Sequence, residues 1–119
     1  MITAIHHVAI IVSSEKSITF YNRLGFKESF RKHRMNDTIV IMDGYGIQLE
    51  IFIDSRHPKT LGLEPIGFRH LALKVDDLEK TLDDLNLSLV DVGEITNDWN
   101  GIRFCFIKDP DGLVIELHE

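Results

Sequence analysis

His7, Glu50, His70 and Glu116 are the side chains of this chain whose types and positions could do chemistry together. Each lies in a strand-like apolar run: His6-His7-Val8-Ala9-Ile10-Ile11-Val12, Gly46-Ile47-Gln48-Leu49-Glu50-Ile51-Phe52, Arg69-His70-Leu71-Ala72-Leu73-Lys74-Val75 and Gly112-Leu113-Val114-Ile115-Glu116-Leu117-His118. A His strand followed by a Glu strand occurs twice. Two imidazoles and two carboxylates are a donor set for one divalent metal. Two facing carboxylates without a counter-charge would each cost several kcal/mol to bury, about the penalty a divalent cation removes. The glutamates are therefore the more telling half of the pattern.

Strand alternation predicts where these groups point. Successive side chains face opposite sides of a strand. Val8, Ile10 and Val12 form one row, and His7, Ala9 and Ile11 the other. Ile47, Leu49 and Ile51 oppose Gln48, Glu50 and Phe52. Leu71, Leu73 and Val75 oppose His70, Ala72 and Lys74, and Leu113, Ile115 and Leu117 oppose Val114, Glu116 and His118. Every candidate ligand falls on the row opposite a fully apolar one. Ala9 and Ala72 leave room beside the two histidines. His6, His33, His57 and His118 lack such a paired arrangement and are expected to be structural or exposed.

The elements follow from the same periodicities. A strand near 3–12 leads to a helix capped by Ser13 or Ser14 and stopped at Gly25, with Ile18, Tyr21 and Leu24 at helical spacing. Strands are expected near 26–33, 38–43 and 46–53. The second unit repeats the order, with a strand near 67–75 and a helix opened by Asp76-Asp77-Leu78-Glu79 in the manner of a capping box. That helix has Leu78, Leu82 and Leu85 on one face. Strands near 88–92, 102–107 and 113–118 follow, the last two joined by a turn at Asp109-Pro110-Asp111-Gly112. His7 and His70 are 63 residues apart, Glu50 and Glu116 66 apart, so the duplication is nearly in phase. The predicted fold is α+β: two tandem βαβββ modules, about 1–54 and 67–119, joined by a linker at about 55–66, in a curved, mostly antiparallel sheet around a metal.

Composition narrows the function. A chain of 119 residues suits one domain with its own core. With 19 acidic against 13 basic residues, the net charge of −6 disfavours nucleic acid as a partner. The one basic cluster, Arg31-Lys32-His33-Arg34, is expected to be an exposed strand end rather than an anion-binding loop. Cys105 is the only cysteine, so no intrachain disulfide forms; it is expected to be buried as a small hydrophobe. No signal segment or run of 18 apolar residues is present, which makes membrane association unexpected and a cytoplasmic setting the default. Trp99, in the polar loop 97–101, is expected either over a substrate or packed as a loop anchor. Arg103 and Lys74 are candidates for anion contacts or for ordinary solvated charges.

The motifs His6-His7-Val8-Ala9-Ile10, Phe20-Tyr21 with Leu24-Gly25-Phe26, Leu49-Glu50, Arg69-His70-Leu71-Ala72, and Asp109-Pro110-Asp111-Gly112 with Ile115-Glu116-Leu117 resemble the vicinal oxygen chelate superfamily. This group holds glyoxalase I, bleomycin-resistance proteins and extradiol dioxygenases, and the likeness is closest to its short bacterial glyoxalase-like branch. The resemblance spans nearly the whole chain. It implies two βαβββ modules around one metal held by His7, Glu50, His70 and Glu116. Nickel or cobalt is favoured, with zinc as the alternative, because the extra helical segments of the zinc class are missing. It also implies a homodimer, with metal sites built within one chain or across the dimer.

The activity implied is isomerisation of a hemithioacetal of a 2-oxoaldehyde such as methylglyoxal through an enediolate. Glu116, with Glu50 as its pseudo-symmetric partner, would move the proton. Another chemistry on the same metal (epimerisation or thiol transfer to an antibiotic) is the alternative, and non-enzymatic sequestration of a small molecule a third. Two positions depart from the glutathione-dependent pattern: Ile11 stands where Arg is usual and Asp54 where Asn is usual. Both put glutathione as the thiol in doubt.

Overall fold

The computed structural model describes residues 1–59 and 64–119. They form two compact units, Met1–Pro58 and Lys59–Glu119. The boundary falls inside the expected linker, whose centre lies outside the described residues.

The first unit contains β1 (Val8–Val12), α1 (Glu15–Leu24), β2 (Lys27–His33), β3 (Thr38–Gly44) and β4 (Ile47–Ile53). Its sheet has the order β1-β4-β3-β2; β1 and β4 are parallel and the other pairs antiparallel. The second contains β5 (Leu71–Lys74), α2 (Leu78–Leu85), a short 3₁₀ turn (Leu89–Asp91), β6 (Thr96–Asn97), β7 (Arg103–Lys108) and β8 (Val114–His118). Its order, β5-β8-β7-β6, repeats the first, again with one parallel pair, β5 with β8. The architecture is the predicted α+β pair of βαβββ modules, built on two four-stranded mixed sheets. Among the described residues no helix is long and apolar enough to cross a membrane.

The apolar rows are buried as alternation requires. Ile10 and Val12, Val40 and Met42, and Leu49 and Ile51 lie on the covered face of the first sheet; Cys105, Ile107, Ile115 and Leu117 do so in the second. Burial pushes the Cys105 thiol up from its ordinary value, consistent with a packing role. The buried residues Ile18, Phe20, Tyr21 and Leu24 of α1 complete the first core. In α2, Leu78 and Leu85 are buried and Leu82 is half-buried.

Helix ends are set by local chemistry. The Ser14 hydroxyl accepts from the Lys16 N–H at 3.3 Å, and Gly25 closes α1 at φ 112. At α2 the cap is Asp77, whose Oδ1 accepts from the Lys80 N–H at 2.9 Å. This corrects the expected capping box. With Asp77 as cap, Glu79 is one residue too early to reach back, and its carboxylate accepts both Nη groups of Arg103 instead, at 2.6 and 2.8 Å.

Strand ends differ from expectation where the partner strand runs out. β1 starts at Val8, paired with Leu49, rather than near 3. β4 itself begins at Ile47, so residues 3–5 have no β4 strand beside them. β5 likewise starts at Leu71 opposite Ile115, not near 67, because β8 opens only at Val114 after the Asp109 turn. In that turn Asp109 Oδ1 accepts the N–H groups of Asp111 and Leu113 at 2.9 and 2.8 Å, and Gly112 supplies φ 86. The expected strand at 88–92 is the 3₁₀ turn, with Leu89 and Val90 largely exposed. Only Val92 bridges β7, at Ile107, and the full edge strand is the short β6.

Candidate metal centre

In the first module the register sets Ala9 of β1 beside Glu50 of β4. His7 shares Ala9's row, two residues earlier, and leans across to the glutamate. His7 Nε2 stands 2.9 Å from Glu50 Oε2, with the imidazole 37 % and the carboxylate 24 % exposed. His7 Nδ1 meets His6 Nδ1 at 2.9 Å, with the two rings edge to face. That contact turns the other nitrogen of His7 toward Glu50. His6 was expected to be structural or exposed; it is exposed, and it orients a candidate ligand.

The second module repeats the placement. Ala72 of β5 pairs with Glu116 of β8, the counterpart of Ala9 with Glu50. His70 Nε2 lies 3.7 Å from Glu116 Oε1, and both side chains are less than one-fifth exposed. The separation exceeds hydrogen-bond length, so this carboxylate is held more loosely than its counterpart. The His70 ring packs edge-on against Phe106, centroids 5.3 Å apart, and Phe106 is the β7 neighbour of Glu116.

The structure thus brings His7 to Glu50 and His70 to Glu116, one imidazole–carboxylate pair per module. Within neither module do three or more His, Cys, Asp or Glu side chains gather for a metal among the described residues. Each pair offers one ring nitrogen and one carboxylate oxygen on a face its own helix leaves open. That donor chemistry fits half of a four-donor shell for a divalent cation.

Two further pairings escaped the sequence pattern. His118, on Glu116's row of β8, places Nε2 3.1 Å from Asp98 Oδ2 and stacks on Phe104. Backbone N–H groups of Ile102 and Asn100, with His118, hold Asp98 below the usual carboxylate range. His57 Nε2 lies 3.2 Å from Asp54 Oδ2. The only signal for the first is His118's shared row with Glu116; its partner lies 20 residues upstream.

The positively charged candidates are mostly occupied. Arg31 bonds Glu15 and Glu28, and Arg34 grips Asp37 with two bonds of 2.6 Å, so the basic cluster is largely neutralised. Arg103 reaches Glu79 and Glu119 together, which corrects its candidacy for anion contacts. Trp99 is 91 % exposed and so is not packed as a loop anchor within its module.

The model of the Glyoxalase/Bleomycin resistance protein/Dioxygenase superfamily matches residues 4–117. The chain belongs to this superfamily. Over 127 aligned residues it is 38 % identical to the uncharacterised protein YwkD of Bacillus subtilis, covering all of this chain and 98 % of the relative. Among solved structures it resembles the glyoxalase family protein of Enterococcus faecalis, at 34 % identity and a TM-score of 0.85, covering 98 % and 97 % of the two chains. The trypanothione-dependent glyoxalase I of Leishmania major is 28 % identical with a TM-score of 0.70, over 98 % of this chain and 86 % of that one. At 17 % identity, a fosfomycin resistance protein FosX of Listeria monocytogenes complexed with Mn(II) shares the fold, with a TM-score of 0.75 over 99 % and 92 % of the chains.

Proposed function

We propose that this chain is a metal-dependent lyase of the glyoxalase I type, acting on the hemithioacetal of a 2-oxoaldehyde such as methylglyoxal. The observation that supports this most is the repeated His–Glu pairing at matched register, Ala9 with Glu50 and Ala72 with Glu116. Both imidazole–carboxylate pairs lie on the rows opposite the buried apolar ones.

In this reading His7, Glu50, His70 and Glu116 together hold one divalent cation. When bound there, such a cation would supply Lewis-acid stabilisation of the negative charge that develops on the substrate during proton transfer. His7 stays fixed by His6, and His70 by the edge of Phe106. Glu116, free of a close bond to His70, is the general base. Its carboxylate takes the proton from the carbon bearing sulfur and hydroxyl and returns it to the adjacent carbonyl carbon. The hydroxyl proton passes between the two oxygens. The product is the thioester of a 2-hydroxy acid, an isomer of the substrate that requires no further reactant. Glu50, 2.9 Å from His7, is the steadier ligand. Nickel or cobalt as the native metal, a homodimer and a cytoplasmic setting belong to the same proposal.

The test is a metal-by-thiol screen. Apo protein is loaded with nickel, cobalt, zinc or manganese and offered methylglyoxal with glutathione and other small thiols, while thioester formation is followed. Glu116→Gln should lower kcat by about 10²–10⁴-fold while stoichiometric metal is retained. Absence of metal-dependent turnover with every thiol would overturn the proposal; unimpaired turnover in Glu116→Gln would remove Glu116 from the base role.

A further inference from the structure

A hollow of about 300 Å³ lies in the first module beside the His7–Glu50 pair, lined by Ala9, Ile11, Asp37, Phe52, Asp54 and His57. Its position follows from the strands. β1 and β4 run parallel, so Ala9 and Ile11 follow His7 on one row as Phe52 and Asp54 follow Glu50 on the other. Two residues along a strand span about 7 Å. A substrate held next to the His7–Glu50 pair would therefore extend its next few atoms into this space.

The polar groups around the hollow are already satisfied. Asp37 accepts a two-bond fork from Arg34. Asp54, buried, accepts Arg56 Nε at 2.8 Å, Arg56 Nη2 at 2.6 Å and the Arg56 backbone N–H at 3.0 Å, with His57 Nε2 at 3.2 Å. Those bonds hold its carboxyl well below the usual range. A cationic ligand group would have to displace a guanidinium already bound in bidentate geometry. An anionic one would find Arg34 and Arg56 already committed to Asp37 and Asp54 and would have to compete with those carboxylates for them. What remains open to a ligand is apolar: the Ala9 methyl, the half-exposed Ile11 side chain, and the Phe52 ring, over which the Arg34 guanidinium sits at 5.7 Å.

Building on the proposed function, we propose that this hollow is the specificity subsite for the substituent carried by the reacting carbons, and that it selects an uncharged group with an apolar body. Ile11 and Phe52 are the specificity-determining residues. The thiol partner then presents neither a free carboxylate nor an ammonium at this position.

Three hydroxamic acids of equal length, ending in methyl, carboxylate or trimethylammonium, serve as probes, since a hydroxamate offers two vicinal oxygens to a metal. Their binding to the zinc-loaded protein is measured by calorimetry, and amide shifts of Ala9, Ile11 and Phe52 locate the tail. The methyl-ended probe should bind at least about tenfold more tightly than either charged one and shift those three amides. Ile11→Arg should tighten the carboxylate-ended probe by about tenfold. Equal or tighter binding of a charged probe to the wild-type protein, or shifts confined to other residues, overturns the subsite while leaving the proposed activity standing. Failure of all three probes to bind overturns both.

Discussion

Replacing Gly25 by alanine should be among the most damaging single-methyl changes available to this chain. Gly25 ends α1 with φ 112 and ψ 1, beyond the left-handed region that L-residues tolerate at about φ +57°. Its N–H bonds the Asn22 carbonyl at 3.0 Å, and the next N–H, of Phe26, bonds Tyr21 O at 3.1 Å, so the conformation is pinned on both sides. A side chain in a left-handed conformation costs about 1–2 kcal/mol. The new Cβ would also overlap the Tyr45 hydroxyl and stand 2.9 Å from its Cζ. The Tyr45 ring must then move, and its hydroxyl loses the bond it donates to the Leu24 carbonyl, worth about 1 kcal/mol. The sum is about 2–3 kcal/mol, or roughly a 10 °C fall in Tm for a chain of this length. Denaturant and thermal unfolding followed by circular dichroism would measure it. The decisive control is the same change in a Tyr45→Phe background, where the hydroxyl clash is gone and the penalty should shrink by about 1 kcal/mol. A penalty under about 0.5 kcal/mol, or one identical in both backgrounds, would refute the reasoning.

The other expectations are simpler to state. Asp77→Ala removes the side-chain acceptor of the Lys80 N–H and should cost about 1 kcal/mol in chemical denaturation, whereas Asp77→Asn should cost much less. Acid should weaken the second module through Arg103, because its fork to Glu79 lowers that carboxyl from 4.5 to about 2. A depressed folded-state value means that the contribution is complete above pH 4.5 and is lost as pH falls toward 2. Tm measured across that window should fall in the wild-type protein and decline less steeply in Arg103→Met, which starts lower at neutral pH.

How far the sequence carried depends on the distance over which each signal acts. Alternation is local, and it assigned Ala9, Glu50, Ala72 and Glu116 to open rows and Leu49 and Ile115 to buried ones, as the pairing registers and burial show. Caps and turns are nearly as local; Gly25 and the Asp109 turn could be recognised because three or four adjacent residues determine them. Strand ends were less legible, because β1 can begin only where β4 offers a partner, and that limit is set 41 residues away, from Val8 to Leu49. Glu79 illustrates the failure most clearly. Its spacing from Asp76 matched a capping box, yet a guanidinium 24 residues downstream offered two charge-assisted bonds in place of one weak reach to a backbone N–H. The chemistry of the hollow was hidden for the same reason. Ile11 and Asp54 stood out in sequence as substitutions for Arg and Asn, and together they put glutathione as the thiol in doubt. Only the bonds from Arg56 and His57 reveal that the Asp54 charge is already matched, which leaves an uncharged group as the proposed occupant.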